Sequence, residues 1–263
     1  MSFIAKKSLG QNFLHAPQVI SAMIHAGEVS AESIVLEVGP GKGALTSKLL
    51  EAGARVLAIE KDDRAIPFLQ EKFSNEIAAG KLKLIHADIL EFNENNHEEL
   101  KSGYALIANI PYYITGEFMR KFLESKNPPA RMVVMLQKEV AKRIVDMKES
   151  ILSISVKAYG NPKYICSVPR KFFRPMPNVD SAVLMVSNIS KVFFEKIDEK
   201  RFFEVLKAGF AHKRKVVIRN LEEKILKSTL ETIWEREKLA KDLRAENMPL
   251  EVWKKIVGDS QVS

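Results

Sequence analysis

Short apolar runs alternate with segments of helical spacing from Ile34 to about Phe122, and a further run follows. In chain order the runs read IVLEVG, RVLAIE, LKLIHA, YALIAN and MVVMLQ. Parallel strands that are buried on both faces give such runs, and the helices between them cover the sheet. Two later runs, KYICSV and SAVLMVSN, are joined by PRKFFRPMPNVD, which leaves no room for a helix. We therefore predict an α/β fold with a mostly parallel seven-stranded sheet that an antiparallel hairpin closes.

The chain changes character after about Ile189, where proline and strand signals become rare. The segments KRFFEVLKAGFAHKRK, IRNLEEKILKSTLETIWE and PLEVWKKIV show the apolar spacing of amphipathic helices. We therefore predict an α/β domain over residues 1–190 and a small all-helical domain over residues 191–263.

Composition narrows the class of protein. The 263 residues, 46% of them apolar, are enough for one medium and one small domain. The single cysteine, Cys166, excludes an internal disulfide and a cysteine-based metal cluster and favours a reducing compartment. His86, His97 and His212 lack the spacing of metal ligands, so we expect no metal. Signal-peptide order and long apolar runs are missing, so we expect a cytoplasmic protein, and a monomer because no long exposed apolar stripe stands out.

Positive charge is concentrated in two places. The net charge is +8, and the stretch from Arg120 to Arg174 holds 13 Lys and Arg against 4 Asp and Glu, a surplus of 9. A second basic group, Lys213, Arg214 and Lys215 with Arg219, lies near the C-terminus. Such clusters favour a polyanionic partner through counterion release. A basic surface without a specific partner is the alternative, and charge alone does not decide between them.

The segment VLEVGPGKGALT ends a predicted strand, turns on Gly39, Gly41 and Gly43, and enters a helix. Glycines let a ligand approach the backbone and allow positive φ. Glu60 ends the next strand, where a carboxylate can bind the ribose of a nucleoside cofactor, and Asp88 follows the third strand. Many strand-to-helix turns contain glycine without binding a ligand. A nicotinamide dehydrogenase would carry G-x-G-x-x-G, whereas E-x-G-x-G-x-G resembles the S-adenosylmethionine site of class I methyltransferases; this resemblance assigns Asp88 to the adenine amino group.

The segment NIPYY follows the fourth strand and resembles the [ND]-[PIL]-P-[YFW] box of methyltransferases that modify planar nitrogens. The amino nitrogen of adenine is a poor nucleophile because its lone pair is shared with the ring. If the Asn109 oxygen and the Ile110 carbonyl accept its two N–H bonds, the lone pair can turn toward a methyl donor. Pro111 would fix the carbonyl and Tyr112 would stack on the base. The alternative is an Asn-Pro turn whose aromatic rings are packed into the core.

Further motifs narrow the resemblance to one family. GQNFL, EVGPGKG, NIPYY, MLQKEVAKR and FRPMPNVDSA resemble the segments of KsgA-type rRNA adenine N6,N6-dimethyltransferases. The resemblance runs from about Lys6 to Ser187 and resumes in FAHKRKVVIRNL and LRAENMPLEVW. The family often reads R-R-K-T-[LI]-R-N in the tail, and KRKVVIRN is one residue longer, which leaves the register of the RNA-contacting helix open.

The resemblance implies roles for residues that spacing alone does not assign. Gln11, Asn12 and Leu14 would cover the cofactor, Phe173 would face Tyr112 across the target base, and the tail would bind RNA. A plain N-terminal contact for QNFL and a core position for Phe173 are the alternatives.

The resemblance also implies the activity. Two adjacent adenines in the loop near the 3′ end of 16S rRNA would be dimethylated with S-adenosylmethionine during small-subunit biogenesis. Unstacked loop bases suit such chemistry, because swinging one into a pocket costs little. Alternatives are the related resistance methyltransferases of large-subunit rRNA, a ribosome-assembly factor that mainly binds, and, less in keeping with the Asn of NIPYY, a DNA adenine methyltransferase.

Overall fold

The computed structural model describes residues 4–6, 9–212 and 214–260. The chain forms two compact units: residues 1–142 with 161–189, and residues 143–160 with 190–263. Within the described residues, none of the helices combines the length and the apolar character needed to cross a bilayer.

The first unit is built on the predicted seven-stranded sheet. Its strands are β2 (Ile34–Val38), β3 (Arg55–Glu60), β4 (Leu82–His86), β5 (Ala105–Asn109), β6 (Arg131–Gln137), β7 (Asn161–Val168) and β9 (Ser181–Ser187). The strand order is β4-β3-β2-β5-β6-β9-β7, and β9 runs antiparallel to both of its neighbours. The predicted class I methyltransferase architecture, with its closing hairpin, is therefore confirmed.

Helices cover this sheet, most of them through one apolar face. They are α1 (Pro17–Ala26), α2 (Ala44–Glu51), α3 (Ala65–Lys72), α4 (Ser74–Ala78) and α5 (Thr115–Glu124), while α6 (Lys138–Val145) crosses the boundary between the units. In α1, Val19, Ile20 and Met23 are buried at helical spacing. These side chains join one apolar core with strand residues such as Val35, Ile107 and Val133, which share one face of the sheet.

A short second sheet was not predicted. It pairs β1 (Phe13–Leu14) with β8 (Phe173–Arg174), and Leu14 lies opposite Phe173. The amide of His15 extends the pairing by donating to the Phe172 carbonyl at 2.8 Å. The pairing brings the GQNFL segment to the closing hairpin, although the two are far apart in sequence.

The second unit is helical, as predicted. It contains α7 (Ile151–Tyr159), α8 (Glu199–Gly209), α9 (Val217–Leu221), α10 (Lys227–Arg236) and α11 (Leu250–Ser260). The predicted division at residue 190 was wrong for residues 143–160, which belong to this unit. The physical reason is a contact between segments distant in sequence: the Tyr159 hydroxyl donates to Glu199 at 2.6 Å, and its ring packs against Phe194.

One predicted helix was also wrong. IRNLEEKILKSTLETIWE forms two helices, because the backbone is extended at Leu226. In one continuous helix Leu230 would lie about 180° from Leu221, at 3.6 residues per turn. The break allows both side chains to be buried. The first predicted segment likewise stays helical only to Gly209.

Candidate active site

A cavity lies at the carboxyl edge of the main sheet, where β2 has neighbours on both sides and the chain reverses its winding direction. Open α/β sheets bind ligands at this position. The cavity encloses about 1020 Å³, part of it open to solvent. Its walls come from the glycine-rich turn, the ends of β3 and β5, the segment after β4, residues 9–13 and Phe173.

The glycine-rich turn needs its glycines at this edge. Gly41 has φ +55°, and a Cβ there would lie 2.8 Å from the Phe13 ring. The Gly41 N–H donates to the Glu60 carboxylate at 3.0 Å. The turn is therefore held to β3 and packed so closely under the Phe13 ring that a side chain at Gly41 would collide with it.

Glu60 lies at the end of β3 and is buried. Its two oxygens accept the N–H groups of Gly41 at 3.0 Å and Asp62 at 2.8 Å. Burial raises its pKa, and these backbone hydrogen bonds offset part of that rise. Each carboxylate oxygen has a second lone pair, so Glu60 can still accept hydroxyl groups.

Asp88 follows β4 and forms a salt bridge with Lys61, at 2.6 Å, while accepting the Leu90 N–H at 2.9 Å. Partial burial raises its pKa, but the hydrogen bonds from Lys61 and Leu90 outweigh burial and hold the pKa below its usual value. Asp88 is therefore an ionised acceptor on the cavity wall.

The NIPYY segment lines the same cavity directly after β5. The Asn109 side-chain nitrogen donates to the Asn12 carbonyl at 3.3 Å. Because the nitrogen is the donor, Oδ1 is the acceptor of this amide. The Tyr112 hydroxyl bonds the buried Ser181 hydroxyl at 2.6 Å, which fixes the ring at the cavity wall. The alternative of aromatic rings packed into the core does not describe Tyr112, which is only half-buried, or the exposed Tyr113.

The residues assigned by resemblance divide into two sets. Gln11, Asn12 and Phe173 line the cavity, together with Asn109 and Tyr112. Phe173 is also 2% exposed and belongs to the apolar core, so its core role and its wall position coexist. Leu14 is a core residue that lines a neighbouring cavity instead.

Glu37, in the middle of the sheet, is fully buried beneath the glycine-rich turn. Among the described residues, neither of its carboxyl oxygens nor the Thr46 hydroxyl has a hydrogen-bond partner. Burial raises the pKa of Glu37 to about 8, and nearby Thr46 lowers it by a smaller amount. Glu37 is therefore protonated at neutral pH.

The basic residues of the tail lie in the helical unit. Arg214 and Lys215 precede α9 and Arg219 lies within it, and all three are exposed. Lys213 lies outside the described residues. Exposure leaves these side chains accessible to a polyanion.

Three residues near the cavity were missed in the sequence. Ser181 bonds Tyr112, Lys61 pairs with Asp88, and Asp62 bonds Gln11 at 2.7 Å. Lys61 and Asp62 directly follow Glu60, which is the only signal the sequence offered for them. The pairing of Tyr112 with Ser181 spans 69 residues and has no local signature.

Comparison with known proteins agrees with this geometry. A family model described as ribosomal RNA adenine dimethylase matches residues 2–259. The "Ribosomal RNA small subunit methyltransferase A" of Dehalococcoides mccartyi (strain CBDB1) is 39% identical over 258 residues, which cover 96% of this chain and 87% of that protein.

Two solved structures share the fold. The 23S rRNA methyltransferase ErmE has a TM-score of 0.78 at 22% identity, with 95% of this chain and 100% of that chain covered. A dimethyladenosine transferase from Plasmodium falciparum has a TM-score of 0.77 at 24% identity, with 93% and 95% covered. With the family model matching nearly the whole sequence, the chain belongs to the ribosomal RNA adenine dimethylase family.

Proposed function

We propose that this protein transfers two methyl groups from S-adenosylmethionine to N6 of each of two adjacent adenines in the loop near the 3′ end of small-subunit rRNA. The observation that carries the proposal is the Asn109 amide. Its nitrogen is held by the Asn12 carbonyl at 3.3 Å, and its oxygen is left as the acceptor, at the end of β5 in the cavity.

The cavity fits the cofactor. Gly39 and Gly41 leave the backbone open beside the cavity, as a methionine chain requires. Glu60 offers unused lone pairs for ribose hydroxyls. The ionised Asp88 accepts from an adenine amino group. Gln11 and Asn12, which belong to the N-terminal segment of the chain, cover the cofactor, and Leu14 supports them from the core.

The target adenine enters beside Asn109, with Tyr112 on one face and Phe173 as the second wall. The Asn109 oxygen and the Ile110 carbonyl accept the two N–H bonds, so the N6 lone pair rotates out of conjugation with the ring. Pro111 restricts the backbone that carries this carbonyl. The protein therefore contributes orientation and hydrogen bonding, and needs no strongly basic side chain.

Bound S-adenosylmethionine supplies an electrophilic methyl group. Each methylation would form one N6–carbon bond while the sulfonium–methyl bond of the cofactor breaks and leaves S-adenosylhomocysteine, and N6 would lose one proton to solvent. After the first methylation one N–H remains, and one acceptor of the Asn109–Ile110 pair is sufficient to orient it. Tyr112, anchored on Ser181, keeps the base plane fixed for the second methylation.

Affinity for RNA comes from basic side chains. Lys213, Arg214, Lys215 and Arg219 of the tail contact phosphates, and the basic stretch between residues 120 and 174 adds further contacts. The partner is rRNA in an assembly intermediate of the small subunit, and the protein acts on it as a monomer in the cytoplasm.

The fold alone does not select the subunit, since the 23S rRNA methyltransferase ErmE shares it. Sequence favours the small subunit, because the relative from Dehalococcoides mccartyi, at 39% identity, carries a small-subunit name. Primer extension on ribosomes from a strain that lacks the gene tests this choice. A block to reverse transcription that disappears from small-subunit RNA supports the proposal. A block that disappears only from large-subunit RNA moves the protein to the resistance class.

A further inference from the structure

Asp62 is a buried carboxylate that none of the assigned cofactor or base contacts uses. It lies two residues after Glu60 and is 2% exposed. A buried charge is tolerated only when it is paired and hydrogen-bonded. Its partners therefore indicate what it does.

Asp62 bonds two different parts of the first unit. Arg64 binds it through Nε at 2.9 Å and Nη2 at 2.7 Å, a two-point contact with a carboxylate. The Gln11 side-chain nitrogen donates to the same carboxylate at 2.7 Å. The Asp62 backbone N–H donates to Glu60 at 2.8 Å. One residue thus connects the ribose-binding carboxylate of β3 to the N-terminal segment.

The Asp62 carboxyl group is ionised in the folded protein. The hydrogen bond from Arg64 lowers its pKa, burial opposes this, and Gln11 lowers it further, so the pKa lies well below its usual range. The contact with Gln11 is therefore a charge-assisted hydrogen bond at any pH where the protein acts. Such bonds are about twice as strong as neutral ones.

The segment held by Gln11, residues 9–14, is called here the N-terminal strap. Its Gln11 oxygen accepts the Lys6 N–H at 2.8 Å, and its Asn12 carbonyl accepts the Asn109 amide at 3.3 Å. The Phe13 ring covers Gly41, and Leu14 pairs with Phe173. The strap therefore contacts the cofactor side and the target-base side of the same cavity.

We propose that Asp62 is a positioning residue that fixes the N-terminal strap across the cavity and so sets cofactor affinity and the orientation of Asn109. This inference rests on the proposed function. Asp62 acts through Gln11 and Glu60 and does not itself contact substrate.

The test uses Asp62→Asn, which keeps the shape of the side chain and removes the charge that Gln11 and Arg64 share. The matched control is Asp63→Asn, the same substitution one residue away at an exposed position. Gln11→Ala and the double variant Asp62→Asn/Gln11→Ala complete a double-mutant cycle. Calorimetry measures the Kd of S-adenosylmethionine, and hydrogen exchange without cofactor measures protection of residues 9–15.

Asp62→Asn is expected to weaken cofactor binding about tenfold, as loss of a hydrogen bond to a charged group does. It is also expected to raise exchange in the strap, while α8 and α11 keep their protection. Gln11→Ala should weaken binding by a similar factor. The double variant should be little weaker than Asp62→Asn alone, because both changes act on the same contact.

Two results would overturn the inference. If Asp62→Asn binds and exchanges like Asp63→Asn, the contact has no positioning role. If binding weakens but the effects of Asp62→Asn and Gln11→Ala multiply, the Asp62 carboxylate does not act through Gln11 and the strap. If the wild-type protein binds no S-adenosylmethionine, that result would instead contradict the proposed function.

Discussion

The protonation of Glu37 makes the stability of the first unit depend on pH in a calculable way. Its pKa rises from 4.5 to about 8 on folding, because its carboxyl is fully buried under the glycine-rich turn. Between these values the unfolded chain has lost the proton and the folded chain keeps it. The unfolded state then binds fewer protons, so the free energy of unfolding falls as pH rises.

The magnitude follows from the size of the shift. Each pH unit in this window costs about 1.4 kcal/mol, which gives about 5 kcal/mol over the whole window. The side chain introduced by Glu37→Gln cannot ionise, so the variant does not lose this free energy of unfolding as pH rises. The free energy of unfolding of Glu37→Gln minus that of the wild type should therefore increase by about 3 kcal/mol between about pH 5.5 and about pH 7.5.

The assay must report unfolding of the first unit, which contains Glu37. Both tryptophans, Trp234 and Trp253, lie in the helical unit, so fluorescence would follow the wrong transition. Urea-dependent hydrogen exchange of the β2 amides measures the opening of the sheet itself. Glu51→Gln, the same substitution at an exposed position at the end of α2, is the control. If the difference for Glu37→Gln stays constant across this pH range, Glu37 is not protonated in the folded protein and burial does not raise its pKa.

Three further predictions test the cavity walls. Gly41→Ala should lower the free energy of unfolding by about 1–2 kcal/mol, because Gly41 has φ +55°. It should also weaken cofactor binding in calorimetry, because the new Cβ meets the Phe13 ring; unchanged binding would contradict this prediction. Ser181→Ala removes the hydrogen bond to Tyr112, so it should lower kcat about fivefold and leave the cofactor Kd unchanged. A changed Kd with an unchanged kcat would contradict this prediction. Asp88→Asn should raise the cofactor Kd about tenfold in the same calorimetric assay, and an unchanged Kd would remove Asp88 from the cofactor site.

The main sheet could be predicted from sequence because buried parallel strands leave a local signal. Continuous apolar runs such as IVLEVG and RVLAIE are visible without knowing what they contact. Strand ends follow from the same runs, and parallel strands place their ends at one edge. Glu60, Asp88 and Asn109 could therefore be assigned to one cavity before any contact was known.

Contacts between distant segments could not be predicted in this way. The pairing of Leu14 with Phe173 and the bond from Gln11 to Asp62 join residues that no periodicity relates. The grouping of residues 143–160 with the tail depends on Tyr159 meeting Glu199 and Phe194, which is equally non-local.

Nucleoside analysis shows whether Asn109 orients an adenine amino group of small-subunit rRNA, as we propose. Unmodified small subunits are incubated with labelled S-adenosylmethionine and the protein, digested with nuclease and analysed by mass. We expect N6,N6-dimethyladenosine from the wild type and none from Asn109→Ala. Dimethyladenosine formed at the wild-type rate by Asn109→Ala, or no product from the wild type, would contradict this proposal.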